Sequence, residues 1–119
     1  MHDPTEGGIV NGIHEISDAS NLGVRVFEET ISVQPETAKI CNYFRIDPLQ
    51  LISSGALLIS AEPTNTERIV GELKKEHIQA SVIGEFLENA IERLIVQKNK
   101  SIKDLPRPLS DHLWTALRR

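Results

Sequence analysis

The sequence predicts an α/β fold in which helices pack on a mixed four-stranded sheet. Apolar residues follow helical and strand spacing in alternating segments, in the order helix, strand, helix, strand, helix, strand, strand, helix. Strands interleaved with helices are typical of a layered α/β arrangement. The chain has 119 residues, of which 39% are apolar and 25% are charged. We therefore expect residues 1–119 to form a single domain with one core.

The first predicted helix begins close to the amino end of the chain. Asp3 would be its N-cap, Pro4 would hold the first helical position, and Glu6 would complete a capping box. The apolar stripe of this helix continues to about Ser20. An alternating, half-buried strand is predicted next, over residues 24–28.

The middle of the chain alternates between helix and strand. The predicted elements are a short helix opened by Pro35, a helical turn after Asp47, an interior strand over 56–61 and an amphipathic helix over 66–76. The strand is apolar at nearly every position, which is typical of a strand buried on both faces. Thr64 or Asn65 would cap the helix that follows it.

The last third of the chain is predicted to hold two strands and a closing helix. Strands over 80–87 and 91–97 have a short connection, which suits a β-hairpin. Residues 97–108 are predicted as an extended linker. Residues 109–119 are predicted as a C-terminal helix that Ser110 caps.

Composition excludes several classes of protein. Lys and Arg number 13 against 17 Asp and Glu, a net charge of −4, so a nucleic-acid partner is not expected. No stretch approaches about 20 apolar residues, and the first residues lack the apolar centre of a signal peptide. We therefore expect no membrane partner and a cytoplasmic location. The single Cys excludes an internal disulfide framework and a Cys-rich zinc site.

The common catalytic motifs are missing from the sequence. His14-Glu15 opens like the helix of a zinc protease, but Asp18 stands where a second His is needed. We interpret His14 and Asp18 as an exposed pair one helical turn apart. Cys41 lies among apolar neighbours and is interpreted as a core residue. With no GxxxxGK(S/T) loop and no GxGxxG motif, no metal ligand and no catalytic residue is identified.

Two adjacent glycines are the feature that most needs an explanation. Gly7 and Gly8 lie in the first turns of the predicted helix, where each costs about 0.5–1 kcal/mol relative to Ala. Glycine there allows another group to approach the helix backbone closely. Free N–H groups and the helix dipole at this end favour an anion such as phosphate or carboxylate. Tight packing against a neighbouring strand or subunit is the alternative.

The segment His-Asp-Pro-Thr-Glu-Gly-Gly-Ile-Val, residues 2–10, resembles the opening of the C-terminal domain in the aminoimidazole ribonucleotide (AIR) synthetase, or PurM-like, superfamily. Within this superfamily the chain is most similar to the HypE group of hydrogenase maturation proteins. Further matches follow in the same order and spacing. They are Leu22-Gly23-Val24, Ile31-Ser32-Val33, Asp47-Pro48-Leu49 with Ser53-Ser54-Gly55-Ala56-Leu57, and Val82-Ile83-Gly84-Glu85.

The resemblance implies that the chain is half of an ATP-dependent enzyme and is inert alone. In the family, an N-terminal domain binds ATP with Mg, and an amide or acid oxygen is activated by phosphorylation before dehydration or cyclisation. The partners implied are the chain's own N-terminal domain, a second copy of the parent protein in a homodimer, and an accessory maturation protein. We expect the ATP-binding domain to lie outside this chain, in a longer parent protein.

The resemblance also implies which residues line the cleft between the two domains and contact substrate or phosphate. They are Asp3, Thr5, Gly7, Gly8 and Gly55. The chain departs from the family nearby, because Glu6 is often Arg and Ser54 is often Glu in relatives. HypE proteins also end in a Cys that accepts the carbamoyl group, and this sequence ends without one.

Two other interpretations remain open. The chain could be a non-catalytic interaction or dimerisation module that uses Leu113, Trp114 and Leu117 as its contact patch. It could also be the equivalent domain of another superfamily member, such as thiamine-monophosphate kinase. The substrate is not identified by the sequence under any of these interpretations.

Overall fold

A computed structural model describes residues 1–118. They form the predicted α/β fold, a mixed four-stranded sheet with helices. The helices are α1 (Gly8–Ser20), α2 (Pro35–Phe44), α3 (Pro63–Lys75) and α4 (His112–Leu117), and the strands are β1 (Gly23–Phe27), β2 (Gly84–Leu87), β3 (Arg93–Val96) and β4 (Ile102–Asp104). Short 3-10 turns follow β1 at Glu28–Thr30 and α2 at Pro48–Gln50. The helices predicted at Pro35 and 66–76 and the turn after Asp47 are confirmed.

The sheet has the strand order β2-β1-β3-β4. Strand β1 pairs antiparallel with β2, so that Val26 lies opposite Gly84. It pairs parallel with β3, so that Val26 also lies beside Ile95. Strand β4 closes the other edge, antiparallel to β3. The segment predicted as an extended linker over 97–108 thus contains a short edge strand.

The hairpin predicted between 80–87 and 91–97 is wrong, because β1 lies between these two strands. The connection from β2 to β3 crosses the start of β1, where the Val24 N–H donates to the Glu92 carbonyl at 2.8 Å. A Cβ on Gly23 would lie 2.1 Å from the Asn89 carbonyl oxygen. Only glycine allows the connection to cross so closely.

The core lies between one face of the sheet and α1. Because side chains alternate along a strand, Val24 and Val26 point to this face while Arg25 and Phe27 point to the other. The buried apolar side chains in the core cluster are Val10, Ile13, Val24, Val26, Leu49, Leu58, Ile95 and Leu105. The core therefore draws on α1, two central strands, the second 3-10 turn and two loop segments.

The predicted start of the first helix is wrong. Helix α1 begins at Gly8, its N-cap is Gly7, and no side chain caps it locally. Asp3 and Glu6 are exposed, so they form no capping box. The chain before Gly7 is instead held by backbone pairing, because His2 and Leu58 exchange two N–H···O bonds of 2.8 Å.

The interior strand predicted over 56–61 is also wrong. Its pairing is limited to the isolated bridge between Leu58 and His2. Leu58 is buried, but Leu57 is 54% exposed and Ile59 is 41% exposed. The segment is as apolar as a buried strand. Among the described residues, however, no neighbouring strand covers Leu57 and Ile59.

Two predicted helix caps are replaced by neighbouring residues. Helix α3 begins at Pro63, whose fixed φ suits the first helical position, so neither Thr64 nor Asn65 is its cap. Helix α4 is capped by Asp111, whose carboxylate accepts the Leu113 N–H, and not by Ser110. Arg119, at the end of the predicted 109–119 helix, lies outside the described residues.

Candidate functional site

The predicted cleft residues belong to two segments that lie side by side. The Thr5 carbonyl accepts N–H bonds from Gly8 at 3.1 Å and from Ser53 at 3.3 Å, and the pairing of His2 with Leu58 continues this contact. We call residues 2–8 and 53–58 together the N-terminal edge. The structure therefore brings the segment of Asp3 and Thr5 next to the turn that contains Gly55.

Within this edge, the predicted residues divide into exposed and buried ones. Asp3, Thr5 and Gly55 are exposed, whereas Gly7 and Gly8 are buried. Gly55 faces open space, since nothing lies within 4 Å of the position of its missing Cβ. Of the predicted residues, a ligand or a partner domain at this edge would therefore meet the Asp3 carboxylate, the Thr5 hydroxyl and the bare backbone of Gly55, with Glu6 and Ser54 exposed beside them.

Gly7 and Gly8 are explained by the chain's own packing. Their φ angles are +80° and +71°, in the region that favours glycine. A Cβ on Gly8 would lie 2.5 Å from the carbonyl oxygens of both Leu49 and Leu51. This close approach to the second 3-10 turn is the packing alternative left open by the sequence. The ligand role of the two glycines stays a prediction.

A buried carboxylate occupies the start of α1. Asp111 is 2% exposed. Its Oδ2 accepts the Gly7 N–H at 2.7 Å, and its Oδ1 accepts the Leu113 N–H at 2.8 Å. An external anion at the Gly7 amide would therefore have to displace Asp111. Sequence reasoning missed this residue because 104 positions separate it from Gly7, and the only local signal, an N-cap position before α4, was assigned to Ser110.

The interpretation of His14 as an exposed partner of Asp18 is wrong. His14 is 4% exposed, and its Nε2 lies 3.1 Å from the carbonyl oxygens of both Leu105 and Pro106. Nε2 must therefore carry the proton, and Nδ1 accepts from Arg93 Nη1 at 3.1 Å. Burial lowers the pKa of His14, and the charges of Arg107 and Arg93 lower it further.

Asp18 instead forms ion pairs with two arginines. Its Oδ1 lies 2.8 Å from Arg93 Nη1, and its Oδ2 pairs with Arg107. Hydrogen bonds from Arg107 and Arg93 lower the pKa of the Asp18 carboxyl. Together with His14, these contacts connect α1 to β3 and to the segment that follows β4. Their role is to hold the C-terminal segment against α1.

The remaining candidate groups offer little chemistry. Cys41 is buried, as interpreted, and burial raises the pKa of its thiol, which disfavours the reactive thiolate. Among residues 1–118, no cluster of His, Cys, Asp and Glu is suited to a metal ion. No helix in this part of the chain is long and apolar enough to cross a bilayer.

The family model and the curated relatives that match this chain point to the same family. The family model described as AIR synthase related protein, C-terminal domain, matches residues 1–97. The carbamoyl dehydratase HypE of Rhizobium leguminosarum bv. viciae is 33% identical over 86 residues, which covers 71% of this chain and 25% of that protein. Segment 98–118, including α4 and Asp111, lies beyond the family match.

Solved structures agree with the sequence comparison. A chain in the crystal structure of a HypE–HypF complex superposes with a TM-score of 0.80 and 28% identity, covering 89% of this chain and 35% of that one. A crystal structure of Escherichia coli HypE gives a TM-score of 0.83 at 24% identity, covering 96% of this chain and 36% of that one, which supports the fold. The chain spans about a quarter of the length of the curated relative and about a third of the solved ones.

Proposed function

The chain belongs to the family of AIR synthase related proteins, as their C-terminal domain, and on that premise we propose that it forms the substrate-cleft half of an ATP-dependent hydrogenase maturation enzyme of the HypE type. The relatives named carbamoyl dehydratase support this reaction class. The N-terminal domain of the parent protein would bind ATP and Mg. This chain would supply the facing wall of the cleft.

The proposed reaction activates an amide or acid oxygen by phosphorylation, which converts that oxygen into a leaving group for dehydration. Cys41 is buried, and among the described residues no cluster of His, Cys, Asp and Glu is suited to a metal ion. Asp3 and Thr5 at the N-terminal edge would contact the substrate and position it. Because ATP would bind to the N-terminal domain, the isolated chain is expected to be inert.

The observation that carries the proposal is a group of exposed apolar side chains at the N-terminal edge and in the residues that follow Leu58. Leu57 and Ile59 lie in a segment with the sequence of a buried strand, yet both are largely exposed. Exposed apolar residues grouped beside polar ones are typical of an interface. Because Asp3 and Thr5 lie on the segment paired to this one, a domain that covered Leu57 would close over the predicted cleft residues.

Further partners are proposed on the same premise. One solved neighbour is a complex of HypE with HypF, which supports an accessory maturation protein as a partner of the parent protein. A homodimer of the parent protein, made through the N-terminal domains, is part of the same proposal.

The test is association with the ATP-binding half of the parent protein, measured by isothermal titration. We expect the wild-type chain to bind that half saturably. Leu57→Asp should weaken the association at least about tenfold, because it places a charge in an apolar interface. Ile91→Asp is the matched control, since Ile91 is 87% exposed in the β2–β3 connection. No association, or equal effects of the two variants, would contradict the proposal.

A second candidate function is a dimerisation module built on α4. Trp114 is 48% exposed and Leu117 is 68% exposed, which favours a contact patch, whereas Leu113 is half-buried against the domain. Replacing Trp114 and Leu117 with Ser removes the patch and leaves Asp111 in place. Light scattering after size-exclusion should then show a dimer converted to a monomer. A wild-type monomer removes this candidate.

A further inference from the structure

A cavity of about 140 Å³ opens on the face of the sheet that α1 covers. It lies where β1 and β3 end, since Glu28 follows β1 directly and Gln97 follows β3. Ligands of open α/β sheets commonly bind outside the carboxyl ends of parallel strands. None of the predicted cleft residues lines this cavity. It is therefore separate from the N-terminal edge.

The cavity combines an apolar floor with a polar rim. The floor consists of buried core residues, Val10, Leu49 and Ile95, with Pro106 at the side. The rim consists of Glu28, Asp47, Gln97 and Lys103. A few polar groups placed around an apolar surface are typical of small-molecule sites.

The two carboxylates on the rim are held in place by neutral donors. Glu28 accepts the Lys98 N–H at 3.2 Å. Asp47 accepts the Leu49 N–H at 2.9 Å and the Gln50 side-chain amide at 3.0 Å. Neither carboxylate forms an ion pair with a residue in the described part of the chain. Their orientation is fixed, and their charge remains to attract a cation.

Lys103 supplies the opposite charge on the same rim. It lies opposite Ile95 in the β3–β4 pairing, which places it on the cavity face of the sheet. Within residues 1–118 its ammonium group forms no ion pair with a carboxylate. The cavity thus has two carboxylates and an ammonium group that form no ion pair with one another, around an apolar floor.

The geometry points to a site for a small zwitterionic amino acid in this cavity. The ligand ammonium group would contact Glu28 and Asp47, and its carboxylate would contact Lys103 and the Gln97 amide. Its side chain would lie on the apolar floor. A cavity of about 150 Å³ holds a benzene-sized ligand of about six heavy atoms, which matches alanine and its close neighbours in size, glycine and serine.

The test is a chemical-shift titration of the full chain with alanine as the probe. We expect saturable shifts at the amides of the cavity residues, with a Kd of about 10 mM or tighter. Acetate and methylammonium each offer one of the two charges. Each should bind at least about tenfold more weakly, because each loses one set of charge-assisted hydrogen bonds.

Variants assign the binding to the cavity. Lys103→Met and Glu28→Gln should each weaken alanine binding about tenfold or more. Both residues lie on the rim and outside the apolar core, so the variants keep the fold, which circular dichroism checks. Lys39→Met is the matched control, because Lys39 is exposed on α2 and does not line the cavity.

Three results would overturn the site. They are the absence of saturable shifts with alanine, acetate binding as tightly as alanine, and folded Lys103→Met binding alanine like the Lys39→Met control. If acetate bound as tightly as alanine, the cavity would be a simple anion site at Lys103 and not an amino-acid site. Association with the ATP-binding half is measured separately and does not depend on these outcomes.

Discussion

Asp111 connects the first amides of two helices that are far apart in the sequence. Its two oxygens accept the Gly7 and Leu113 N–H groups, which helix formation alone leaves without partners. The partial positive charge at both helix starts also stabilises the buried carboxylate. One side chain therefore fixes the C-terminal segment on the start of α1.

Replacing Asp111 with Ala should lower the free energy of unfolding by about 2 to 4 kcal/mol, through the lost N-cap and the unpaired, buried Gly7 N–H. Asp111→Asn should cost less, because it keeps one acceptor oxygen. Ser110→Ala is the matched control and should stay within about 0.5 kcal/mol of the wild type. Urea denaturation measures all three. Equal losses for Asp111→Ala and Ser110→Ala would show that the carboxylate does not hold the two helices.

His14 should make stability depend on pH. Burial lowers the pKa of His14 in the folded chain below the ordinary histidine value of 6.5, so below that pH the unfolded chain binds more protons than the folded one. The contribution of His14 to stability is therefore complete above pH 6.5, and it is lost as the pH falls from there towards the pKa of His14 in the folded chain. Urea midpoints at about pH 7.5 and about pH 5.5 should differ more in the wild type than in His14→Gln.

The control for this pH effect is His77→Asn. His77 is exposed, with a φ of +59° that Asn tolerates. Its replacement removes an exposed imidazole and is compared with His14→Gln in the same urea titrations. If His14→Gln and the wild type lose stability in parallel over this range, His14 is not the group responsible. Asp18 acts at a lower pH. Hydrogen bonds from Arg107 and Arg93 lower its pKa, so its contribution to stability is lost only as the pH falls below the ordinary aspartate value of 3.8.

At the residue scale, the sequence predicts an environment correctly where the neighbours are local, and fails for both burial and partners where distant segments supply them. Cys41 is correctly interpreted as a core residue because all the relevant information is local to its helix. His14 and Asp18 are not, because Arg93, Leu105 and Arg107 reach them from the other end of the chain. Spacing along α1 shows which residues share a helix face and not which strand or loop packs against that face.

At the element scale, the start of α1 is set by packing against the second 3-10 turn. We expect Gly8→Ala to lower the free energy of unfolding by about 2 to 5 kcal/mol, since it adds a strained φ and a clash with two carbonyl oxygens. Gly71 in α3 is a contrasting control, because nothing lies within 4 Å of its missing Cβ.

Gly71→Ala should instead raise the stability by about 0.5 to 1 kcal/mol through helix propensity. Denaturant titrations of both variants give the comparison. A Gly8→Ala variant as stable as the wild type would mean that the close approach to the Leu49 and Leu51 carbonyls is not a constraint. Anion binding would then be the better explanation of the adjacent glycines Gly7 and Gly8.

Helices were easier to predict than strand pairings for a physical reason. The helical period and Pro35 are local signals, and the three longer helices are found at their predicted places in the chain, although α1 begins at Gly8 and α3 at Pro63. A strand period does not specify the neighbouring strand. The insertion of β1 between β2 and β3, and the use of 102–104 as the edge strand in place of 56–61, depend on contacts between distant segments.

At the scale of the whole molecule, the C-terminal segment 105–111 and the apolar segment 56–61 differ in how they are held to the domain. Residues 105–111 are fixed to α1 through His14, Asp18 and Gly7. Residues 56–61 have the apolar composition of a core strand, but only Leu58 packs into the core and pairs with His2. The domain is thus closed at its C-terminal segment and open at its N-terminal edge.

This open edge leads to a prediction for hydrogen exchange of the whole chain. In the isolated chain, the amides of Leu57 and Ile59 should exchange much faster than that of Ile95, which lies in β3 between two paired strands. Adding the ATP-binding half should slow exchange at Leu57 and Ile59 by about tenfold or more, because burial removes them from water. The exchange rate of the Ile91 amide, in the exposed β2–β3 connection at the start of β1, should not change. Slow exchange at Leu57 before the addition would mean that the segment is already covered, and unchanged exchange after it would place the partner domain elsewhere.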